Sequence, residues 1–136
     1  MTRYLIDKSV LARMGNERVL RRVGPILERD DAVTCSIVDL EVLYSARNAD
    51  DHEQIRRRRA LAYHRIELDE AIFQRAIAVQ GELAKTGRHR VPIPDLVIAA
   101  AAESARVTVL HYDHDFDLIA QVTGQPVEWV AERGSL

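Results

Sequence analysis

Short β-branched runs separated by long helix-like segments are the feature that most constrains the fold of this chain. Apolar runs at residues 4–6, 32–35 and 107–110 predict strands, and a last run at 127–130 follows near the end. The segments between these runs are long enough for helices, which is what parallel strands need as crossover connections. The sequence therefore predicts an α/β fold with a parallel sheet flanked by helices.

Apolar periodicity and capping residues predict where the helices lie. The predicted ranges are 9–14, 17–28, 36–46, 51–62, 70–85, 95–105 and 116–123. Ser36, with Asp39 three residues later, has the pattern of a capping box at the start of the third helix. Pro92 and Pro94 predict an extended segment before the alanine-rich helix. All 136 residues are assigned to a single domain, with 132–136 as a frayed tail.

The composition limits the classes of function. The net charge of -2 argues against a surface that holds nucleic acid by bulk electrostatics. Four consecutive arginines at 56–59 form either a solvated helix face, which we favour, or a local contact to nucleic acid or a partner. The single cysteine, Cys35, is expected to be a buried residue in a reducing cytoplasm. No apolar stretch approaches the roughly 18 residues of a membrane span, so we expect a cytoplasmic protein without membrane contact.

Four acidic residues stand where apolar residues are expected. Asp7 and Asp113 follow predicted strands, Glu41 interrupts an apolar helix, and Asp95 opens the alanine-rich one. A buried carboxylate is costly unless it is paired, hydrogen-bonded or bound to a cation. Because the carboxyl ends of parallel strands meet at one edge of the sheet, all four acids can converge there. Oxygen ligands favour Mg²⁺ or Mn²⁺ over Zn²⁺.

Each acid also has a purely structural interpretation. Asp95 alone is typical of a helix N-cap. Asp7 and Asp113 alone are equally typical of loop residues that accept backbone hydrogen bonds. For Glu41 the structural interpretation is that its aliphatic chain extends far enough for the carboxylate to reach solvent. Asp115 is a further candidate ligand, less certain than the other four, because one ion of a pair can use both neighbouring acids through water.

Three polar residues next to the acids are candidates for a supporting role. Ser9 can hydrogen-bond a ligand carboxylate, a metal-bound water or a phosphate, or it can cap a helix. Lys8 either points into solvent or attracts phosphate. His111 is expected to contact substrate or loop backbone and not the metal, because hard ions prefer oxygen.

Four motifs contain these residues and occur in a fixed order along the chain. They are Tyr4-Leu-Ile-Asp7-Lys-Ser9, Ser36-Ile-Val-Asp39-Leu-Glu41, Ile93-Pro-Asp95-Leu-Val-Ile and Leu110-His-Tyr-Asp113-His-Asp115. Each motif is weak by itself, but the ordered set is specific. Over essentially its full length, the chain resembles the PIN-domain ribonucleases of the VapC toxin type.

The resemblance implies a PIN-like three-layer α/β/α sandwich with a central parallel sheet of four or five strands. It also implies Mg²⁺ or Mn²⁺ at the acids, endonucleolytic cleavage of RNA, often transfer RNA, a homodimer, and a small VapB-like antitoxin that blocks the site. Two residues depart from the family pattern. Lys8 stands where the family usually has Thr or Ser, and His111 where it often has Thr, but neither departure removes an acid.

Two other classes of function stay open from the residues alone. A PIN-like module that binds RNA or protein without cleaving would use its acids as caps. Glu41 argues against it, because capping gives no reason to place an acid in the second turn of an apolar helix. Phosphatase or receiver-type chemistry is the other class. Ser9 argues against it, because a phosphatase nucleophile motif is expected to carry an acid at that position.

Overall fold

A five-stranded parallel sheet forms the centre of the fold in this computed structural model, which describes residues 2–136. The strands are β1 (Tyr4–Ile6), β2 (Ala32–Thr34), β3 (His64–Arg65), β4 (Thr108–His111) and β5 (Val127–Trp129). Their spatial order is β3-β2-β1-β4-β5, and each neighbouring pair is parallel. The carboxyl ends of all five strands therefore lie at one edge of the sheet.

Helices connect the strands and cover both faces of the sheet. They are α1 (Lys8–Leu11), α2 (Glu17–Glu28), α3 (Ser36–Leu43), α4 (Ala49–Ala62), α5 (Glu70–Ala84), α6 (Ile93–Ala105) and α7 (Asp115–Thr123). The face that carries Leu5 and Val109 packs with α5, α6 and α7. The face that carries Ile6 and Leu110 packs with α1 and α2. Because successive strand residues point to opposite faces, two apolar layers result, and the predicted α/β/α sandwich is confirmed.

Helix α6 is the most buried helix of the fold and supplies much of its interior. The run from Asp95 to Ala102 is buried throughout. It packs against the apolar stripe of α5, whose buried members include Ile72, Val79 and Leu83. Small alanine side chains allow α6 to approach its neighbours closely, so the acid at its start is carried into the interior of the domain.

The predicted capping box at the start of α3 is wrong. The helix begins at Ser36 itself, after Cys35, which is buried and makes no side-chain capping hydrogen bond. Asp39 instead forms ion pairs with Arg59 and Arg65. These two arginines come from α4 and β3. Asp39, which the local sequence predicted to cap the helix, is therefore engaged in tertiary ion pairs. The sequence did not predict β3, whose two residues carry no apolar run.

The start of α6 also differs from the prediction. The helix begins at Ile93, with Pro92 as its N-cap residue, so the extended segment is shorter than expected. Pro94 is accommodated because a proline in the first turn lacks only an N–H that would have no helical partner. Asp95 consequently lies inside the first turn and is not the N-cap.

The C-terminal segment, for which the sequence predicts a frayed tail, contacts the body of the domain. The backbone N–H of Leu136 donates to the Tyr112 hydroxyl at 2.9 Å, and the carbonyl of Ser135 accepts from Arg18 at 2.6 Å. No helix within residues 2–136 has both the length and the apolar character that a membrane crossing needs.

Candidate active site

Asp7 is held at the carboxyl end of β1 by contacts on both sides. Its backbone N–H donates to the carbonyl of Leu110 at 3.0 Å, which fixes it against β4. Its carboxylate accepts the backbone N–H of Ser9 at 3.0 Å and the Ser9 hydroxyl at 2.6 Å. Only 3% of Asp7 is exposed. Asp7 is thus the N-cap of α1 and a buried acid at the sheet edge at the same time.

Ser9 connects the first strand to the loop that follows the fourth. While its hydroxyl donates to Asp7, the same oxygen accepts the backbone N–H of Tyr112 at 2.9 Å. The sequence suggested the contact to a carboxylate but gave no sign of the Tyr112 amide, because that contact spans 103 residues of chain. Ser9 therefore fixes the distance between Asp7 and the loop that carries Asp113.

Three carboxylates form the tightest part of the site. Asp95, Asp113 and Asp115 each offer a carboxylate oxygen, and these three oxygens lie within 4.8 Å of one another. Asp113 accepts the backbone N–H of Asp115 at 2.9 Å, which turns the loop into α7. Asp95 is 6% exposed, and its Oδ2 is buried without a hydrogen-bond partner. Since Asp95 does not cap α6, the capping interpretation is wrong for this residue.

Glu41 approaches the same cluster from α3. Its Oε1 atom is buried and has no hydrogen-bond partner, although Glu41 as a whole is only half-buried. Burial raises the pKa of Glu41, the charges of Asp7 and Asp113 raise it further, and the charge of Lys8 lowers it. Glu41 is therefore close enough to two of the other acids to sense their charge, and Lys8 is the base that partly offsets it.

The pKa values of the other acids show how crowded the cluster is. Burial raises the pKa of Asp95 to about 9, together with the charges of Asp7 and Asp113. Burial also raises the pKa of Asp7, although its hydrogen bonds from Ser9 act in the opposite direction. The pKa of Asp115 is raised by burial and by the charge of Asp113. Each shift disfavours the ionised form, first because the carboxyl is buried and then because neighbouring acids are negatively charged.

The donor set fits a hard divalent cation. All five acids present carboxylate oxygens, which are the ligands that Mg²⁺ and Mn²⁺ prefer. Two of these oxygens, on Glu41 and Asp95, are buried without any partner among residues 2–136. Such atoms are rare in folded proteins unless something else satisfies them. A cation bound among Asp95, Asp113 and Asp115 would satisfy the Asp95 oxygen and would lower the raised pKa values. Asp7 and Glu41 lie outside this group of three.

His111 lies behind the site and not in it. The side chain is fully buried, and its ring packs between Phe116 and Trp129. Its Nδ1 accepts the backbone N–H of Asp113 at 3.1 Å, so the expected contact to loop backbone is present. Burial lowers the pKa of this imidazole, which is consistent with a neutral acceptor. Complete burial contradicts the expected contact with substrate, and His111 instead orients the loop that carries Asp113.

Comparison with known proteins gives the family. Residues 4–122 match the PIN domain family, a range that contains all five acids. Ribonuclease VapC21 of Mycobacterium tuberculosis is 43% identical over 98% of both chains, and Ribonuclease VapC51 of the same species is 42% identical over 98% of this chain and 97% of its own. The chain belongs to the VapC family of PIN-domain ribonucleases.

Solved structures of toxin–antitoxin complexes share the fold. VapBC2 from Rickettsia felis, bound to a DNA fragment from its promoter, superposes with a TM-score of 0.75 and 14% identity, covering 93% of this chain and 97% of that one. A toxin–antitoxin complex from Klebsiella pneumoniae gives a TM-score of 0.69 and 21% identity, covering 95% and 98%. At these identities the likeness establishes the fold of this VapC-family chain.

Proposed function

We propose that this chain is an endoribonuclease toxin that hydrolyses RNA with Mg²⁺ or Mn²⁺ held by Asp7, Glu41, Asp95 and Asp113, with Asp115 as an additional ligand. One observation carries the proposal. Glu41 and Asp95 come from different helices, and each presents a buried carboxylate oxygen without a partner to the same acidic cluster. A fold does not retain such costly groups for stability alone, so a bound cation is the simplest explanation.

A divalent ion in this position supplies an activated water and neutralises charge that develops on the phosphodiester. The protein supplies the geometry. Ser9 holds the Asp7 carboxylate in one orientation through two hydrogen bonds, and His111 holds the backbone at Asp113. Lys8 follows Asp7 directly and is half-buried, so its ammonium group is available to attract a phosphate towards the acids.

Purified protein tests this proposal directly. Incubation with total transfer RNA and Mg²⁺ or Mn²⁺ is expected to give discrete cleavage products, and EDTA is expected to abolish them. Asp7→Asn should remove cleavage while leaving the fold intact, because the amide keeps the shape of the side chain but loses the charge that holds the cation. Full cleavage by Asp7→Asn at low Mg²⁺ would contradict the assignment of the metal site.

The alternative is a PIN-like module that binds RNA or protein without cleaving. The two functions differ in one measurement: a non-cleaving module would bind RNA equally well with and without divalent ions and would leave it intact. The unpartnered Glu41 oxygen supports the nuclease, because a binding module has no use for a buried carboxylate oxygen without a partner. Structured RNA, with transfer RNA first, is the proposed substrate class, and sequencing of RNA ends after brief expression would identify the cleaved molecule.

A small VapB-like antitoxin in the cytoplasm is the proposed partner. An apolar groove of about 560 Å³ is lined by residues of α1, α2, α3 and α4 and of the turn after α1, among them Leu11, Met14, Val42 and Ile55. Val42 follows Glu41 directly on α3. An apolar helix that carries an arginine would fill the groove and reach the carboxylates. Co-expression with the adjacent small reading frame should restore growth and yield a stable complex. If toxicity persisted and no protein co-purified at low salt, the assignment of this partner would be contradicted.

We also propose a homodimer. Phe73, Ile77 and Ile93 are exposed and line an apolar depression between α5 and α6, and exposed apolar surface of this kind is typical of an interface between protein chains. Sedimentation equilibrium of the purified chain, compared with an Ile77→Asp variant, measures the state directly. A monomeric wild-type protein across the accessible concentration range would contradict the dimer.

A further inference from the structure

A second charged pocket lies at the same edge of the sheet as the acids, but on the other side of α3. It has a volume of about 430 Å³ and gathers four arginines from two elements. Arg56, Arg57 and Arg59 come from α4, and Arg65 ends β3. Asp39 is the only acid that lines it. The sequence interpretation of these arginines as a solvated face is wrong for Arg59, of which only 6% is exposed.

Two of the arginines build the floor of this pocket, which we call the arginine pocket. The Nε of Arg59 donates to Asp39 at 2.8 Å, and its NH2 group donates to the Thr34 hydroxyl at 2.9 Å. Its guanidinium also lies 4.5 Å from the centre of the Tyr63 ring. Arg65 donates to the other oxygen of Asp39. One carboxylate thus serves two guanidinium groups, and the floor carries a net positive charge.

The other two arginines contribute little to the stability of the fold. The side chains of Arg56 and Arg57 are 67% and 76% exposed, and their acidic neighbour, Glu53, is itself half-exposed. Exposed pairs of this kind contribute about 0–1 kcal/mol to stability. Placing both arginines at a pocket that already has a positive floor adds like-charge repulsion. An anion in the pocket would offset that repulsion.

We propose that the arginine pocket binds one internal phosphodiester group of the RNA substrate while the acids cut another phosphodiester bond nearby on the same strand. Guanidinium groups match the geometry of phosphate oxygens, and five N–H donors on each arginine leave most of the donors here free. This inference rests on the proposed nuclease function, because it places a second contact on the same substrate.

The position of the arginine pocket relative to the acids fits one RNA strand. Asp39 and Glu41 are two residues apart on α3, which puts them on nearly opposite sides of a helix roughly 10 Å across. The strands give the same spacing independently. Arg65 ends β3 and Asp7 follows β1, and these are two strand positions apart in the sheet, or roughly 10 Å. The acids and the pocket therefore lie within the reach of a few consecutive nucleotides at one edge.

Two exposed arginines elsewhere in the chain offer a matched control. Arg3 precedes β1, at the opposite edge of the sheet from the acids, and Arg21 lies on α2. The pair Arg56→Gln, Arg57→Gln removes two charges from the pocket, and the pair Arg3→Gln, Arg21→Gln removes two charges elsewhere. Any effect of net charge alone is the same for both pairs.

The experiment measures RNA binding in the full-length Asp7→Asn protein, so that the probe stays intact. The probe is a fluorescein-labelled single-stranded RNA of about 12 nucleotides, titrated at several salt concentrations. The pocket variant should bind on the order of tenfold more weakly at low salt, and the slope of log K against log salt should flatten by about 1.4, the value for two lost contacts. The control variant should keep the slope of its parent. Equal slopes for the two variants would overturn the proposal.

Two further experiments distinguish an internal phosphodiester from a terminal phosphate, and RNA from a protein ligand. RNA with and without a 5′-phosphate should bind equally, and a strict need for the 5′-phosphate would overturn the assignment to an internal phosphodiester. If the pocket variant lost binding to a co-expressed antitoxin while its RNA affinity stayed at the parent value, the pocket would belong to an acidic segment of that partner and the proposal would fail.

Failure of the inference and failure of the proposed function give different results. If wild-type protein cleaves RNA, Asp7→Asn does not, and the pocket variant binds RNA like its control, only the arginine pocket is assigned wrongly. If wild-type protein neither binds nor cleaves RNA with Mg²⁺ or Mn²⁺, both fail together. Circular dichroism of each variant confirms that the exposed substitutions leave the fold in place.

Discussion

Two regions at one edge of the sheet treat buried acids in opposite ways. Over β2 and β3, Asp39 is satisfied by Arg59 and Arg65. Over β1 and β4, Asp95 is buried with an oxygen that has no partner, and the nearby charges are also negative. Both acids lie near the start of a helix. Asp39 is three residues into α3, and Asp95 is in the first turn of α6.

The difference teaches how to separate a structural acid from a functional one. An acid that is needed for the fold has its counter-charge within the protein, as Asp39 does. An acid that lacks one destabilises the fold unless something outside the chain binds it. Burial alone does not distinguish the two regions, since the side chain of Asp39 is only 14% exposed. The charge of the neighbouring side chains distinguishes them, because Asp39 has basic neighbours and Asp95 has acidic ones.

The largest expected effect concerns Glu41, which lies on the same helix as Asp39. Glu41→Gln should lower the rate of RNA cleavage about a hundredfold or more, because the amide cannot supply the charge that holds the cation. Glu103→Gln, which changes a surface acid paired with Arg75, is the matched control and should cleave like wild type. Rates from initial cleavage of labelled RNA decide the matter, and equal rates for both variants would place Glu41 outside the site.

The second prediction concerns stability. Asp39→Asn should lower the free energy of unfolding by about 2–3 kcal/mol, because the Arg59 guanidinium is then buried without a carboxylate. Urea denaturation of the variant and of wild type measures the difference. The same substitution at Asp95 should raise the stability of the metal-free protein near neutral pH, since the folded state must keep a proton on this buried carboxyl and an amide needs none. If both variants shifted in the same direction, the contrast between the two regions would be broken.

Ser9 tests how far positioning matters within the acidic site. Ser9→Ala removes the hydroxyl that joins Asp7 to the Tyr112 amide. Cleavage should fall about 10–100-fold, while Asp7 keeps the backbone N–H of residue 9 as a donor. A titration of cleavage rate against Mg²⁺ should show a weaker apparent affinity for the ion. An unchanged titration would mean that the hydroxyl only stabilises the loop.

The smallest expected effect is the pH dependence of stability without metal. In the folded protein the pKa of Asp95 is raised to about 9, above its ordinary value of 3.8. The folded state therefore binds this proton more tightly than the unfolded state does. Its contribution to stability is complete below about pH 4 and is lost as the pH rises towards 9.

Thermal melts in EDTA between pH of about 5 and 8.5 measure this loss. Asp95→Asn should reduce the decline by about 1–2 kcal/mol, or about 3–6 °C in Tm. Addition of Mg²⁺ or Mn²⁺ at the upper pH should restore wild type more than the variant. A wild-type decline equal to that of the variant would show that Asp95 is not the group responsible.

Much of the fold could be predicted from local sequence. Helix α2 spans Glu17–Glu28, as periodicity predicts, with Asn16 as its N-cap, and α5 begins at the predicted residue, capped by Asp69. The burial of α6 also follows from its composition. These features depend on residues close in sequence, where capping geometry and a 3.6-residue period act directly. What failed was Asp39, whose partners come from 20 and 26 residues further along the chain.

For the candidate site, the sequence determined which residues are the candidates. The apolar runs place Asp7 and Asp113 at strand ends, and an acid within an apolar helix marks Glu41, because these positions follow from the periods of strands and helices. Only the tertiary structure decided which acids have partners. It left Asp95 unpaired, because the helices packed around it bring acids and no base. It also buried Arg59, predicted to lie on a solvated helix face, at the floor of the arginine pocket, since long-range packing decides which charged groups come into contact.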